Sequence, residues 1–166
     1  MQPATAACFG AWVTRATSLL NPPTSPKCTT PANQQVFAWF SHQHDANFQY
    51  GGQSVLTIFD NGTLRDHYCD TNGNSRGYVL TVDEANLTVT PLMIQDLGFY
   101  SNGLGSAAVI PGSSNYHFEN GQIDKATIAQ SIEITPSGTT AFALQADQQT
   151  YRSFRMQDLY TPTQPQ

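Results

Sequence analysis

Short runs of β-branched and aromatic residues, separated by polar turn residues, recur along the chain. The clearest run is SVLTIF at residues 54–59, which stops at the Asp-Asn-Gly of residues 60–62. These last residue types tolerate the left-handed dihedral angles of a tight turn, so the pattern predicts a strand that runs into a turn. His42 and His44 precede this strand and Arg65 follows it, which places chemically versatile side chains beside the strongest strand signal.

The same pattern repeats downstream and predicts a series of strands. The predicted strands are residues 76–82, 87–94, 106–110, 115–118, 131–135 and 139–144, followed by a closing strand at 151–156. The polar segment at residues 67–74 is predicted as a loop. Turns that begin at Asp60, Asp83, Pro111 and Pro136 recur about every 25 residues, which is typical of successive hairpins.

This spacing is compatible with more than one all-β architecture. A four-stranded propeller blade takes about 40–45 residues, so the chain would hold roughly two or three blades, fewer than a closed propeller needs. The periodicity alone also allows a β-sandwich. We expect an irregular Pro/Thr-rich segment at residues 1–35, one β domain at residues 36–160 and a disordered tail at residues 161–166.

The composition favours an all-β protein and excludes some partners. Charged residues make up 11% of the chain, about half the typical share, and helix-favouring Lys, Glu and Arg are scarce. The net charge of -5 argues against nucleic acid as a partner, because phosphate neutralisation needs clustered Lys and Arg. No segment approaches the length of a membrane span, and nothing supports binding at a membrane surface.

The cysteines and the first residues do not settle the cellular compartment. Cys8, Cys28 and Cys69 are an odd number at spacings that fit no zinc motif, so at most one disulfide can form. The first twenty residues lack a basic region and a continuous apolar region, so no signal peptide is expected in this chain. The low charge and the high Asn, Thr and Gly content are nevertheless more typical of an exported protein.

A metal site is the first functional possibility for the paired histidines. His42 and His44 would share a face if their segment is extended, which permits a two-histidine metal site. No carboxylate or third histidine stands at a supporting spacing, so we expect no metal.

Five segments occur in an order that resembles a known family: WFSHQHDANF, SVLTIFDNGTLR, NSRGYVLTVDE, FYSNGLGSAAVIPGSSNYHF and TYRSFRMQDLY. From about Leu20 to Pro162 the chain resembles the C-terminal part of the aryl-sulfate sulfotransferases, most specifically in QHDA, TIFDNG and SRG. The resemblance implies part of a six-bladed β-propeller with its active site at the central channel. It also implies transfer of a sulfuryl group from a phenolic sulfate ester to a phenol through a sulfohistidine. No nucleotide donor or other cofactor is implied, and the expected location is periplasmic or extracellular.

The resemblance assigns roles to individual residues. It places the nucleophilic histidine at His117, the histidine of the QHDA element at His44 and the arginine after the FDNG turn at Arg65. The Tyr-Arg pair of the closing strand falls on Tyr151 and Arg152, which are expected to bind substrate.

These residue types suit the implied chemistry. Sulfuryl transfer passes through a planar, SO3-like group with negatively charged oxygens, so the site needs positive donors. An arginine presents a fork of donors that never loses its charge, and we expect Arg65 to serve first, with Arg152 and Arg76 behind it. His117 would attack sulfur through a neutral ring nitrogen, while His44 supplies or removes the phenolic proton.

Each candidate also has a structural interpretation. Tyr151 could be a core aromatic of the closing strand, Arg76 could bind loop carbonyls, and His67 could be a surface residue of the polar loop. Asp60 and Asn61 are expected to form the turn rather than to act as acid or base.

Two functions therefore stay open at the level of the sequence. The chain transfers sulfate between phenols, or it is a truncated propeller that serves as a binding or assembly module. Because two or three blades cannot close a ring, an open edge strand would be exposed and could support self-association.

Overall fold

The computed structural model describes residues 28–29, 35–36, 40–48, 54–68 and 73–156. Within this part of the chain the strands are β1 (Cys28–Thr29), β2 (Gln35–Val36), β3 (Gln43–Phe48), β4 (Val55–Asp60), β5 (Arg76–Asp83), β6 (Thr88–Asp96), β7 (Ser106–Val109), β8 (Tyr116–Ile123), β9 (Ile128–Ile134) and β10 (Thr140–Ala146), and the helix α1 is Thr63–Tyr68. No helix in these ranges is long and apolar enough to cross a membrane. Most of the predicted N-terminal segment and the whole predicted tail lie outside the described residues.

Eight of these strands form two four-stranded antiparallel sheets. The first sheet has the order β3-β4-β5-β6 and the second has the order β7-β8-β9-β10, so each is a meander of consecutive strands. Strands β1 and β2 make a separate antiparallel pair. The all-β prediction is confirmed, and two successive four-stranded meanders are consistent with part of a β-propeller.

The predicted strands and turns agree with the structure along most of the chain. Strand β4 occupies Val55–Asp60 and is followed by Gly62, whose φ of 74° is left-handed as the turn requires. Strands β5 and β6 are joined by a turn at residues 84–87, and the hairpins β7-β8 and β9-β10 follow at their predicted turns, whereas the turn at residues 124–127 between β8 and β9 was not predicted. Strand β8 continues to Ile123, beyond the predicted end at Phe118.

The loop predicted at residues 67–74 does not begin at His67, because helix α1 continues to Tyr68. Its first turn is capped from a distance, because Leu64 N donates to Ser41 Oγ at 3.1 Å across 23 positions of the chain. Gly62 N also donates to the Ser41 carbonyl at 3.1 Å, and Asp66 N donates to the Gly62 carbonyl at 2.9 Å. Such a cap is supplied by the fold, so a local sequence pattern does not reveal it.

The prediction of a closing strand at residues 151–156 is wrong. Residues 150–156, called the closing segment below, lie on the face of the second sheet that points away from the first sheet, because they contact His117 and Ser131, whose strand neighbours point into the core between the sheets. Thr150 N donates to the Gly121 carbonyl at 3.0 Å, and Ser153 contacts side chains of β8 and β9. The closing segment is held mainly by side-chain contacts and not by backbone hydrogen bonds to a neighbouring strand, so it does not form a strand.

The two sheets pack face to face on a shared hydrophobic core, and β7 lies against β3 and β4. The core residues are Phe59, Val79, Met93, Leu97, Ala107, Phe118, Ile132 and Ile134. Two glycines let aromatic rings approach the backbone of the facing sheet. The Phe118 ring fills the space of a Cβ at Gly77, and the Phe59 ring does the same at Gly105.

The opposite face of the first sheet carries a second cluster. Its buried members are Ile58, Tyr78, Leu80, Val82 and Val89, with Phe40 and Leu56 packed against them. The rings of Phe40 and Tyr78 meet edge to face with their centroids 5.9 Å apart. Directly paired strand residues share a face, so Arg76, which pairs with Asp60, belongs to this side of the sheet.

Candidate active site

A partly buried ion pair joins the first sheet to the closing segment. Arg152 Nη1 lies 3.0 Å from Asp45 Oδ1, with side-chain exposures of 36% and 2%. Asp45 Oδ2 also accepts the backbone N–H of Ala107, in β7, at 3.0 Å. Arg152 is therefore held where the inner edge strands β3 and β7 meet, with part of its side chain open to solvent.

The backbone of β3 is irregular beside this ion pair. His42 and Asp45 have left-handed φ values of 58° and 51°, and the register against β4 shifts between His44 and Asn47. Asn47 Nδ2 donates to the Asp45 carboxylate at 2.8 Å. A bulge of this kind redirects a side chain, and here it turns the Asp45 carboxylate toward β7.

His44 lies on the face of the first sheet that looks toward the second sheet, because it pairs with the core residue Phe59. The rings of His42 and His44 pack edge to face with their centroids 5.4 Å apart. Burial lowers the pKa of His44 below its usual 6.5, and the charges of His42 and Arg152 lower it further, while Asp45 opposes them. His44 is therefore neutral at pH 7 and can accept a proton.

His117 lies on the far face of the second sheet, beneath the closing segment. It is 3% exposed, and its Nε2 lies 2.7 Å from Ser153 Oγ. Burial is the largest influence on the pKa of His117 and lowers it; Glu119 opposes this, Arg155 adds to it, and Glu133 opposes it. The ring is therefore neutral at pH 7 and carries one lone pair on nitrogen.

A row of hydroxyl groups connects His117 to a buried carboxylate. Ser153 Oγ lies 2.8 Å from Ser131 Oγ, which donates to Glu119 Oε2 at 2.5 Å. Thr150 Oγ1 donates to the other carboxylate oxygen of Glu119. His117 and Glu119 are two positions apart in β8 and so share a face, where the strand register sets Ser131 opposite Glu119.

The closing segment is also anchored near its end. Arg155 Nε lies 3.4 Å from Glu133 Oε2, and the Arg155 guanidinium lies 4.9 Å from the centroid of the Phe142 ring. Asn115 Nδ2 donates to the other Glu133 oxygen at 2.7 Å. The closing segment thus crosses the second sheet from the β7 edge to the β10 edge.

Three of the predicted site residues are brought together by this segment. Arg152 pairs with Asp45 and acts on the pKa of His44, and the next residue, Ser153, binds His117. The two histidines approach the segment from different sides, since His44 faces the inter-sheet core and His117 faces away from it.

Of the two other predicted arginines, Arg76 is not part of this group. Arg76 is the first residue of β5 and lies on the face of the first sheet opposite His44. Arg65 has its backbone in α1, and its side chain lies outside the described atoms, as does that of His67.

Tyr151 is not a core residue, so its structural interpretation is wrong. It is 65% exposed, and the guanidinium carbon of Arg152 lies 5.3 Å from the centroid of its ring. The turn residues Asp60 and Asn61, by contrast, are buried and structural. Asp60 Oδ1 accepts Gly62 N at 3.0 Å, and Asn61 Nδ2 donates to a carbonyl at 2.7 Å.

Sequence reasoning missed the residues that support the candidate histidines. Glu119 could have been found, because it follows His117 by two positions within a strand-like run and so shares its face. Asp45 adjoins His44, but the bulge that turns it toward β7 leaves no sequence signal. Ser131 and Ser153 resemble the many turn serines of the chain until the fold brings them together.

The two-histidine metal site considered from the sequence assumes an extended backbone, and the backbone at His42 is not extended. His42 has a left-handed φ of 58°, so the alternation of side chains along an extended strand does not apply to this pair. Among the residues that the structure describes, no group of three or more His, Cys, Asp or Glu side chains could hold a metal ion.

Comparison with known families gives a match along most of the chain. The family model described as Arylsulfotransferase (ASST) matches residues 11–155, a range that includes both sheets, His44, His117 and Arg152. Comparison with curated proteins gives no match. Because the family match spans nearly all of the sequence, the chain belongs to the arylsulfotransferase (ASST) family.

Proposed function

We propose that this protein transfers a sulfuryl group from a phenolic sulfate ester to a phenol, with a sulfohistidine at His117 as the intermediate. Its family supports an aryl sulfotransferase-like function in general. One observation supports the residue roles: adjacent residues of the closing segment contact Asp45, beside His44, and His117 itself. An anion-binding guanidinium and a neutral histidine are thereby positioned by the same stretch of backbone.

In the first half-reaction the lone pair of His117 forms a bond to sulfur. The bond between sulfur and the phenolic oxygen breaks, and its electron pair leaves on that oxygen as a phenolate. Arg152 binds the sulfuryl oxygens, whose negative charge is the feature to be stabilised. Tyr151, exposed beside Arg152, offers an aromatic face to the phenolic ring.

In the second half-reaction a phenol attacks the sulfur of the sulfohistidine and regenerates neutral His117. His44 removes the proton of the attacking phenol, because its lowered pKa leaves it neutral and able to act as a base. Because its pKa is lowered, His44 then releases this proton to solvent, and the phenolate that left in the first half-reaction takes up a proton from solvent.

The closing segment must open to admit the donor, because His117 is 3% exposed. Opening breaks mostly side-chain contacts, chiefly the pairs of Arg152 with Asp45 and of Arg155 with Glu133. Arg152 would carry the bound ester inward as the segment closes. Closure also excludes water, which favours transfer to a phenol over hydrolysis.

The test is an assay with a chromogenic aryl sulfate and a phenol acceptor, using wild type, His117→Gln and the control His67→Gln. Wild type and His67→Gln should release phenol, whereas His117→Gln should lose nearly all activity because the covalent step is absent. Mass spectrometry of wild type with the donor alone should show a mass gain of one SO3 group. Activity retained by a folded His117→Gln variant would rule out this histidine as the nucleophile.

A second candidate function is a non-catalytic binding or assembly module. It is favoured by one observation, that the Arg152 charge is already paired with Asp45 while the His117 ring is buried. Wild-type protein that releases no phenol and gains no SO3 group would support this function over the enzymatic one.

A further inference from the structure

The Asp45 carboxylate is held by strands of both sheets, independently of Arg152. Asp45 Oδ2 accepts the backbone N–H of Ala107, in β7, at 3.0 Å. Asp45 Oδ1 accepts a hydrogen bond from Nδ2 of Asn47, in β3, at 2.8 Å, and the Asp45 side chain is 2% exposed. Neither donor belongs to the closing segment, so these two bonds remain when that segment opens.

The peptide group that binds Asp45 is itself bound to the first sheet. Thr57, in β4, donates its hydroxyl to the Ala107 carbonyl at 2.8 Å, and both residues are fully buried. Because a buried backbone group is costly without a hydrogen-bond partner, the bonds from Asp45 and Thr57 fix the place of β7 against β3 and β4. The position of the Asp45 carboxylate is therefore set by the junction of the two sheets.

Arg152, by contrast, belongs to the closing segment, which is not a strand of either sheet. Its Nη1 lies 3.0 Å from Asp45 Oδ1, and 36% of its side chain is exposed. A guanidinium carries several N–H donors in a fixed fork, so the contact with one carboxylate oxygen leaves donors for a second anion. Arg152 can therefore bind a sulfate ester without leaving Asp45.

We propose that Asp45 is the fixed anchor of the closing segment: it receives Arg152 when the segment closes and sets where the guanidinium meets the sulfuryl oxygens of the donor. The anchor does not depend on the proposed function, whereas the placement of the sulfuryl oxygens rests on it. Asp45 is a positioning residue in this scheme, because it acts on the donor only through Arg152.

The same carboxylate weakens the attraction of Arg152 for an anion. A negative charge 3.0 Å from the guanidinium offsets part of its positive charge, so Asp45 lowers the affinity for the donor while it fixes the geometry of transfer. Geometry affects kcat, since a misplacement of about 1 Å can cost about 10²-fold. Loss of the Asp45 charge should therefore lower kcat without raising KM, a combination that general damage to the fold does not produce.

Asp45→Asn tests the anchor with little change to the sheets. The amide oxygen of asparagine can still accept the Ala107 N–H, and asparagine tolerates the left-handed φ of 51° at this position. Asp124→Asn is the matched control. Asp124 also has a left-handed φ, of 44°, and it lies in an exposed turn where it accepts a hydrogen bond from Thr127, so the control removes the same charge without removing the partner of Arg152.

The first measurement is the rate at which diethyl pyrocarbonate modifies His117 in the whole chain, followed by mass spectrometry of the peptide that contains it. His117 is 3% exposed beneath the closing segment, so the reagent reaches the ring only when the segment opens. Asp45→Asn should raise this rate by roughly tenfold, the effect of losing one hydrogen bond between charged groups. Asp124→Asn should leave the rate unchanged.

Arg152→Gln shows whether Asp45 acts through Arg152. This variant should raise the His117 modification rate by itself, and Asp45→Asn should then add little, because both changes remove the same contact. The proposal is overturned if the rate stays at the wild-type value in a folded Asp45→Asn or Arg152→Gln variant. It is also overturned if Asp45→Asn has the same effect with and without Arg152, or if Asp124→Asn has an equal effect. If Asp45→Asn does not fold, Arg152→Gln decides alone.

Kinetics test the placement of the guanidinium and separate this proposal from the proposed function. In Asp45→Asn, kcat with an aryl sulfate and a phenol should fall by roughly tenfold or more, with KM unchanged or lower. A kcat equal to wild type, or a KM that rises, would overturn the positioning role. Wild type that releases no phenol but shows the coupled modification rates would refute the proposed function and leave the anchor standing.

Discussion

Burial affects the acid–base behaviour of His117 more than any neighbouring charge does. The ring is removed from water by the closing segment, which disfavours the imidazolium and lowers the pKa, and Glu119 only partly offsets this effect. A neutral ring suits a nucleophile, because a protonated nitrogen has no lone pair to give. Because this burial lowers the pKa of His117, it also makes the free energy of unfolding depend on pH.

The free energy of unfolding should decrease as the pH falls below about 6.5, the pKa of histidine in an unfolded chain. Above that pH both states hold His117 neutral. Below it the unfolded chain binds a proton that the folded chain resists, so the effect is absent at pH 7.5 and grows toward the lowered folded pKa. One such group gives a slope of at most about 1.4 kcal/mol per pH unit.

Urea denaturation of wild type and His117→Gln between pH 7.5 and 5.5 measures this dependence. The curve of unfolding free energy against pH should be flatter for His117→Gln, because the titrating ring is absent. Parallel curves for the two proteins would show that His117 does not titrate differently in the folded and unfolded states.

At the scale of elements, the strands could be predicted and their connections to the site could not. The β-branched run before Asp60 and the turns at Asp83 and Pro136 depend on local residue preferences, so the sequence alone places them. Helix α1 depends on Ser41, which caps it from a distant position. The closing segment depends on side chains of β8 and β9, so its aromatic and apolar residues suggested a strand that does not form.

The candidate site residues differ in the same way, since some could be predicted from the sequence and others depend on contacts made only in the fold. His44 and His117 could be singled out by family resemblance, and Glu119 by its position on the face of His117. The role of Asp45 depends on a backbone bulge at a left-handed φ of 51°, and no pattern of residue types specifies which way a bulge turns.

The packing of β5 against β8 allows a prediction about one glycine. In Gly77→Ala the new Cβ would lie 2.3 Å from a carbon of the Phe118 ring, so the ring or the sheet must move. We expect a loss of about 1–3 kcal/mol in the free energy of unfolding, the usual range for an overpacked core. Urea denaturation measures the loss.

A second substitution provides the control for this prediction. Phe118→Leu removes the ring atoms nearest to Gly77, so Gly77→Ala should cost less in a Phe118→Leu background than in wild type. An equal cost in both backgrounds would mean that the alanine acts through the backbone and not through the ring.

At the scale of the whole molecule, the two sheets are joined by one core, and within the described residues each sheet ends in an edge strand that is paired on one side. Among the described strands, β10 pairs with β9 alone, and it carries Phe142 and Leu144 on its outer face, where Leu144 is 58% exposed. An edge strand with exposed apolar side chains is a site where another chain can add. This supports the expectation of self-association through an open edge.

Leu144→Lys should therefore weaken self-association, since it removes apolar surface and adds a charge to the edge strand. Molar mass measured by light scattering over a range of concentrations should rise with concentration for wild type and stay nearly constant for Leu144→Lys. Thr140→Lys is the control, because it adds the same charge to an exposed position of β10 without removing apolar surface. A monomeric wild type, or an equal effect of both variants, would contradict this prediction.

The contacts of Arg152 and Ser153 have one further consequence. Neighbouring Cα atoms are about 3.8 Å apart across a trans peptide bond, so the peptide bond fixes the distance between the Cα atom of Arg152, which pairs with Asp45, and that of Ser153, whose hydroxyl contacts His117. An insertion between Arg152 and Ser153 would therefore separate the residue that pairs with Asp45 from the residue that contacts His117.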